Sequence, residues 1–197
     1  QLIGPYTSDY NYFFACPCDG YIQPVFATGL IQTLLVGHGA TVNACALHPD
    51  GKRAVTASDD GTLRVWKLAE SEALRTLVGH GAGVLACAIS PDGKQILSAS
   101  ADHRLKVWDL ETGQNLDTLA GHTEAVTACA ISRDGTVAVS ASADHTLKVW
   151  ALARSRAVSL GHDGEVLACA INAAGTRVVS ASADKTLKLW DAQSGAV

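Results

Sequence analysis

Methionine is absent from all 197 residues, and the chain begins at Gln1. That pairing is expected of a fragment or processed product, whose own targeting signals would not be visible. Long apolar runs are also missing. The longest stretch, Ile22 to Gly37, is broken by Gln23, Pro24, Gly29 and Gln32, which excludes a membrane-spanning helix and favours a soluble chain. An excess of basic residues is lacking as well. With 15 Lys and Arg against 19 Asp and Glu, the net charge is -4, and there is no basic footprint for nucleic acid. The length itself suffices for one or two domains with a sizeable core, so disulfide or metal staples are not required.

Two absences are local. No Lys or Arg precedes Lys52, and no Tyr or Phe follows Phe26, because Tyr6, Tyr10, Tyr12, Tyr21, Phe13, Phe14 and Phe26 all sit in the opening stretch. Residues 1–29 are therefore expected to form a divergent segment, and residues 30–197 a repeat domain. The segment reads as an extra strand pair, a remnant of a preceding unit, or disorder; its aromatics favour some packing.

From about Leu30 the sequence repeats itself, and a fixed internal period outranks other signals. Gly-His recurs at Gly37, Gly79, Gly121 and Gly161, at intervals of 42, 42 and 40 residues. Tryptophan keeps the same period at Trp66, Trp108, Trp150 and Trp190. In every unit the step from His to a later Asp is 22 residues, and from that Asp to Trp it is 6.

Each unit reads as four short strands. In the second unit, Val84 to Ile89 is a run of β-branched and small apolar residues closed by Ser90-Pro91-Asp92-Gly93, a strong turn sequence. Gln95 to Ser100 follows, then a tight turn at Ala101-Asp102-His103, a third strand from Leu105 to Trp108, and a fourth near Leu116 to Leu119. Short strands at even spacing with no helical pattern between them predict an all-β, radially repeated structure.

On these residues the chain resembles the WD-repeat (WD40) β-propeller family, whose units run from Gly-His to Trp-Asp over about 40–45 residues. Trp-Asp is intact at Trp108-Asp109 and Trp190-Asp191, and is replaced by Trp66-Lys67 and Trp150-Ala151 elsewhere. The fourth unit has Ala174-Gly175 where the others have Asp-Gly. The resemblance implies four repeats of four-stranded antiparallel blades, arranged as a closed four-bladed ring, an open arc or half of a larger ring completed by a homodimer. Residues 31–35 align with the fourth strands and would supply the strand the last blade lacks, removing an exposed edge.

The resemblance also implies a buried tetrad of His, Ser, Asp and Trp in each blade. The members would be His38, Ser58, Asp60 and Trp66; His80, Ser100, Asp102 and Trp108; His122, Ser142, Asp144 and Trp150; and His162, Ser182, Asp184 and Trp190. Ser, His and Asp are also the parts of a hydrolytic triad. Four equivalent copies at fixed spacing favour a brace repeated in every blade, because an enzyme needs one such set in one pocket.

Cys45, Cys87, Cys129 and Cys169 each stand in an Ala-Cys-Ala context on the first strand and point the same way, so they read as small buried apolar residues outside disulfide geometry. Free thiols fit a reducing compartment, and a cytoplasmic location is the expectation. Cys16-Pro17-Cys18 could contribute to a zinc site, but no second pair with finger-like spacing accompanies it, so no metal is expected. Gly79-His80-Gly81-Ala82-Gly83 lacks the Lys and the following helix of a phosphate loop, and no cofactor is expected.

What remains for function is the surface. The family places the Gly-His loops and the tight Asp turns on one face, so the variable residues there form the candidate binding rim: Thr41, Asp59, Gly83, His103, Arg104, Glu124, His145, Asp163, Glu165 and Lys185. Their charges are mixed, which favours a protein or peptide partner over a polyanion. The expected role is a non-catalytic interaction scaffold or sensor, of the kind that resembles the sensor end of bacterial multi-repeat signalling proteins. The alternative is part of a larger enzyme or signalling protein whose propeller binds a small ligand or substrate.

Overall fold

The computed structural model describes residues 12–15, 22–25, 34–152 and 156–196. The chain opens with an antiparallel pair, β1 (Tyr12–Ala15) and β2 (Ile22–Val25). The first unit contains β3 (Val42–Leu47), β4 (Arg53–Ser58), β5 (Thr62–Lys67) and β6 (Glu72–Val78). The second has β7 (Val84–Ile89), β8 (Gln95–Ser100), β9 (Arg104–Asp109) and β10 (Asn115–Ala120). The third has β11 (Val126–Ile131), β12 (Val137–Ser142), β13 (Thr146–Ala151) and β14 (Arg156–Gly161). The fourth has β15 (Val166–Ile171), β16 (Arg177–Ser182) and β17 (Leu187–Asp191). Each unit is an up-and-down antiparallel sheet in chain order.

The turns follow from local chemistry. Between the first two strands of each unit, Gly51, Gly93, Gly135 and Gly175 take left-handed φ values of 66°, 73°, 71° and 68°. Asp50, Asp92 and Asp134 accept the backbone N–H two residues on, at Lys52, Lys94 and Thr136. The fourth unit, with Ala174 in place of that Asp, uses Asn172 Oδ1 to accept the N–H groups of Thr176 and Arg177 instead.

The four sheets stack face to face, with β3 beside β7, β7 beside β11, and β11 beside β15. Between the first two units, Val55, Ala57, Leu63, Val65 and Leu77 meet Val84, Ile96, Trp108 and Leu110 of the next. The same positions recur at the two later joints. Burial of these apolar faces is the main stabilising term, at roughly 25 cal/mol per Å² removed from water. The first strand of every unit also carries a bulge at one position, between Val42 and Ala44, Val84 and Ala86, Val126 and Ala128, and Val166 and Ala168. The bulge residue reaches toward the following unit: Asn43 Nδ2 donates to Val84 O at 3.0 Å, and Thr127 Oγ1 to Val166 O at 2.6 Å.

Of the three arrangements expected, the closed four-bladed ring is the one the described sheets do not show. Among the described residues no comparable packing returns from β15 to β3, so the sheets form an open row and the closed four-bladed ring is not formed. The fourth sheet has three strands, as its own unit supplies, and no fourth strand joins it among the described residues. Residues 31–33 lie outside the described residues, and Leu187, which the added strand would flank, is 75% exposed. At the other end β1 lies beside β3, in keeping with the reading of the opening segment as an extra strand pair.

Candidate functional site

The repeated polar residues meet at one end of each sheet. In the second unit His80 Nδ1 lies 2.7 Å from Asp102 Oδ2, and its Nε2 lies 2.7 Å from Ser98 Oγ. Trp108 Nε1–H donates to the same Oγ at 2.8 Å. The partners define the proton positions: Nδ1–H donates to the carboxylate, and Nε2 accepts the Ser98 hydroxyl proton. His38, Thr56, Asp60 and Trp66 repeat this chain of bonds. So do His122, Ser140, Asp144 and Trp150, and His162, Ser180, Asp184 and Trp190.

The bridging hydroxyl therefore belongs to Thr56, Ser98, Ser140 and Ser180, which corrects the assignment to Ser58, Ser100, Ser142 and Ser182. Residues two apart on a strand share a face, so the pattern admits both. Ser98 lies opposite Lys106 in the interior of the sheet, within reach of the indole, whereas Ser100 ends its strand. Ser100 Oγ accepts the Asp102 N–H at 3.1 Å and donates to Gly83 O at 2.9 Å, tying the tight turn to the Gly-His loop. Ser58, Ser142 and Ser182 make the matching turn bonds and donate to the loop carbonyls of Ala40, Glu124 and Gly164.

A further participant was missed. Thr62, Thr146 and Thr186 each donate their hydroxyl to Oδ1 of the tight-turn Asp at 2.6 Å. The signal was present as a Thr two residues after that Asp in three units; the second unit has Arg104 instead. Burial pushes the Asp60 and Asp144 carboxyls up, but the Thr hydroxyls, loop N–H groups and His donors outweigh it and hold both far below the usual range. Asp184 is lowered too, first by the Thr186 hydroxyl. Desolvation lowers the imidazoles of His38, His80 and His122, partly offset by the facing carboxylates. Both effects keep the His38–Asp60, His80–Asp102 and His122–Asp144 pairs as neutral His beside ionised Asp.

As chemistry this set is closed. Thr56, Ser98, Ser140 and Ser180 are fully or almost fully buried, and each oxygen already accepts an indole N–H. A substrate carbonyl has no path to them, so the geometry is a brace and not a nucleophile. Cys45, Cys87, Cys129 and Cys169 are free thiols. Burial raises them all, Cys169 to about 12, and Cys87 and Cys129 point at Val55 O and Leu97 O of the preceding sheet. Among the described residues no group of three or more His, Cys, Asp or Glu could hold a metal, and Cys16 and Cys18 lie outside them.

The rim residues surround these braces. His103, Arg104, His145, Lys185, Glu124 and Asp163 are exposed, whereas Thr41, Gly83 and Glu165 are half-buried. His103, His145 and Lys185 hold left-handed φ values of 69°, 66° and 71°, where the first unit has Gly61 at 78°. Asp59 is engaged: Asn43 Nδ2 donates to its Oδ1 at 2.6 Å. A Cβ at Gly83 would stand 2.8 Å from that same oxygen, so Gly83 serves to seat Asp59. Thr41 O and Glu165 O accept the N–H of Asp59 and Ala183, fixing loop to turn.

Among curated relatives, Nuclear distribution protein PAC1 of Tuber melanosporum (strain Mel28) is 36% identical over 66 residues, which is 34% of this chain. The match spans only 15% of that relative's own length. The profile described as WD domain, G-beta repeat matches at residues 29–67, 71–109, 113–151 and 154–191. With four tandem matches coinciding with four antiparallel sheets and their His-to-Trp braces, the chain belongs to the WD40 repeat family.

Proposed function

We propose that the chain is a non-catalytic interaction module that holds a protein or peptide partner at the rim formed by the Gly-His loops and tight turns of units two to four. The observation that carries this reading is Arg104. At the position where three units place a Thr on the turn Asp, the second unit carries an exposed guanidinium with no hydrogen bond or ion pair among the described residues. An Arg released from the brace is, with Trp and Tyr, among the residue types enriched at interface hot spots.

Beside it stands His103, whose left-handed backbone costs about 1 kcal/mol relative to Gly. The rigid braces underneath hold the rim in one geometry, which lowers the ordering cost of binding. WD40 domains generally mediate protein–protein contacts, and this chain's mixed rim charges suit a peptide of complementary pattern. The test is cross-linking capture by wild type and by Arg104→Glu with Glu165→Lys. A saturable protein set lost in the double variant, at unchanged melting temperature, supports the reading; equal capture by both overturns it.

A further inference from the structure

The four units are built on one pattern, so a position where one departs from the other three shows what the fold does not require. The tight turn of the first unit departs twice. It carries Asp59 where the others have Ala101, Ala143 and Ala183, and Gly61 where they have His103, His145 and Lys185. Gly83, on the facing loop of the second unit, is likewise the smallest residue at its position, against Thr41, Ala125 and Glu165.

Asp59 is not needed as a strut between units. Asn43 Nδ2 donates to Asp59 Oδ1 at 2.6 Å and to Val84 O at 3.0 Å. Where the third unit meets the fourth, Thr127 Oγ1 reaches Val166 O at 2.6 Å with Ala143 in the turn, so the same bond forms without a carboxylate. What Asn43 does for Asp59 is orient it. Both amide hydrogens of Asn43 are spent in these two bonds, and its remaining polar atom, Oδ1, is an acceptor. Asp59 itself is exposed, and its Oδ2 has neither a hydrogen bond nor an ion pair among the described residues.

The two glycines keep the place open. A Cβ at Gly83 would stand 2.8 Å from Asp59 Oδ1, and a Cβ at Gly61 would stand 3.5 Å from Ala82 O and 3.9 Å from His80 O. A carboxylate and two carbonyls thus border one notch at the first joint, where the other units place a His or Lys side chain. Such a set of acceptors selects a group rich in N–H donors and positively charged. We propose that the notch seats a basic side chain of the partner, the guanidinium of an Arg or the ammonium of a Lys, with Asp59 as its counter-charge. The inference rests on the partner-binding reading of the rim and narrows it to a peptide that offers a cation to the first joint.

Arrays of short acetylated and amidated peptides, randomised at all positions but one that is fixed in turn as Arg, Lys, Gln or Glu, test it on the tagged chain. Capture is expected to favour Arg or Lys over Gln by about tenfold at one position, the two cations being scored separately. Asp59→Asn keeps the oxygen that Asn43 binds and removes the charge. Gly61→His fills the notch with the residue that the second and third units carry at that turn. Both variants are expected to bring the preference to parity at unchanged melting temperature, whereas Asp163→Asn, on the Gly-His loop of the fourth unit, is the control expected to keep it. A basic preference that survives Asp59→Asn, or capture with no basic preference, overturns the notch and leaves the rim reading standing. Capture of no peptide by wild type overturns the notch together with the reading it rests on.

Discussion

The indole Nε1–H of Trp108 donates to Ser98 Oγ at 2.8 Å, across the junction of β8 and β9. The same oxygen lies 2.7 Å from His80 Nε2, so one hydroxyl satisfies two buried partners. Ser98→Ala would leave both unpaired, at roughly 1–3 kcal/mol each. Ser100→Ala loses a turn bond worth about 1 kcal/mol. Urea denaturation of the two variants is expected to show the larger loss at Ser98; equal losses would place the brace elsewhere.

Acid should unfold the chain in two stages. His38, His80 and His122 are lowered from 6.5 in the fold, so the unfolded state binds those protons first, and stability falls as pH drops below about 6.5. Asp60, Asp102, Asp144 and Asp184 are lowered from 3.8, so a second loss follows as pH falls through that value. Melting temperature measured from pH 8 to pH 3 is expected to decline throughout the acid range. A flat profile between pH 7 and pH 5 would contradict neutral buried imidazoles.

Gly93 is fixed by the first unit as well as by its own turn. Its φ is 73°, and a Cβ there would overlap His48 Nε2, which holds Gly93 O at 3.0 Å. Gly93→Ala is expected to cost about 1–3 kcal/mol by strain and by loosening this joint. In a double-mutant cycle with His48→Ala, the two losses should fall short of additive, because the clash disappears with the ring. Strict additivity would deny the contact.

At position 103 stability and function should part. His103→Gly replaces a left-handed non-glycine residue, as Gly61 already does in the first unit, and is expected to leave stability unchanged or raised by up to about 1 kcal/mol. The same change should weaken partner capture. A marked loss of stability would show that the His103 side chain supports the fold.

Spacing made most of the fold legible. The Gly-His and Trp periods located the sheets, and the strand limits of the second unit match to within a residue, because turn glycines and alternating apolar residues act locally. The choice between Ser98 and Ser100 was not legible: both lie on one face of β8, and only the three-dimensional reach of Trp108 and His80 separates them. The engagement of Asp59 by Asn43 was hidden for a similar reason, since the two lie 16 residues apart on neighbouring segments. Ring closure could not be read from the likeness of residues 31–35 to a fourth strand, because it depends on the summed rotation between sheets.

The central claim, that a braced scaffold presents Arg104 and its neighbours to a protein partner, is tested most directly by paired measurement of melting and capture on Arg104→Glu. Melting unchanged with capture reduced by about tenfold or more, or roughly 1.4 kcal/mol, is the predicted result. Capture equal to wild type, or a fall in capture matched by a fall in melting temperature, would contradict it.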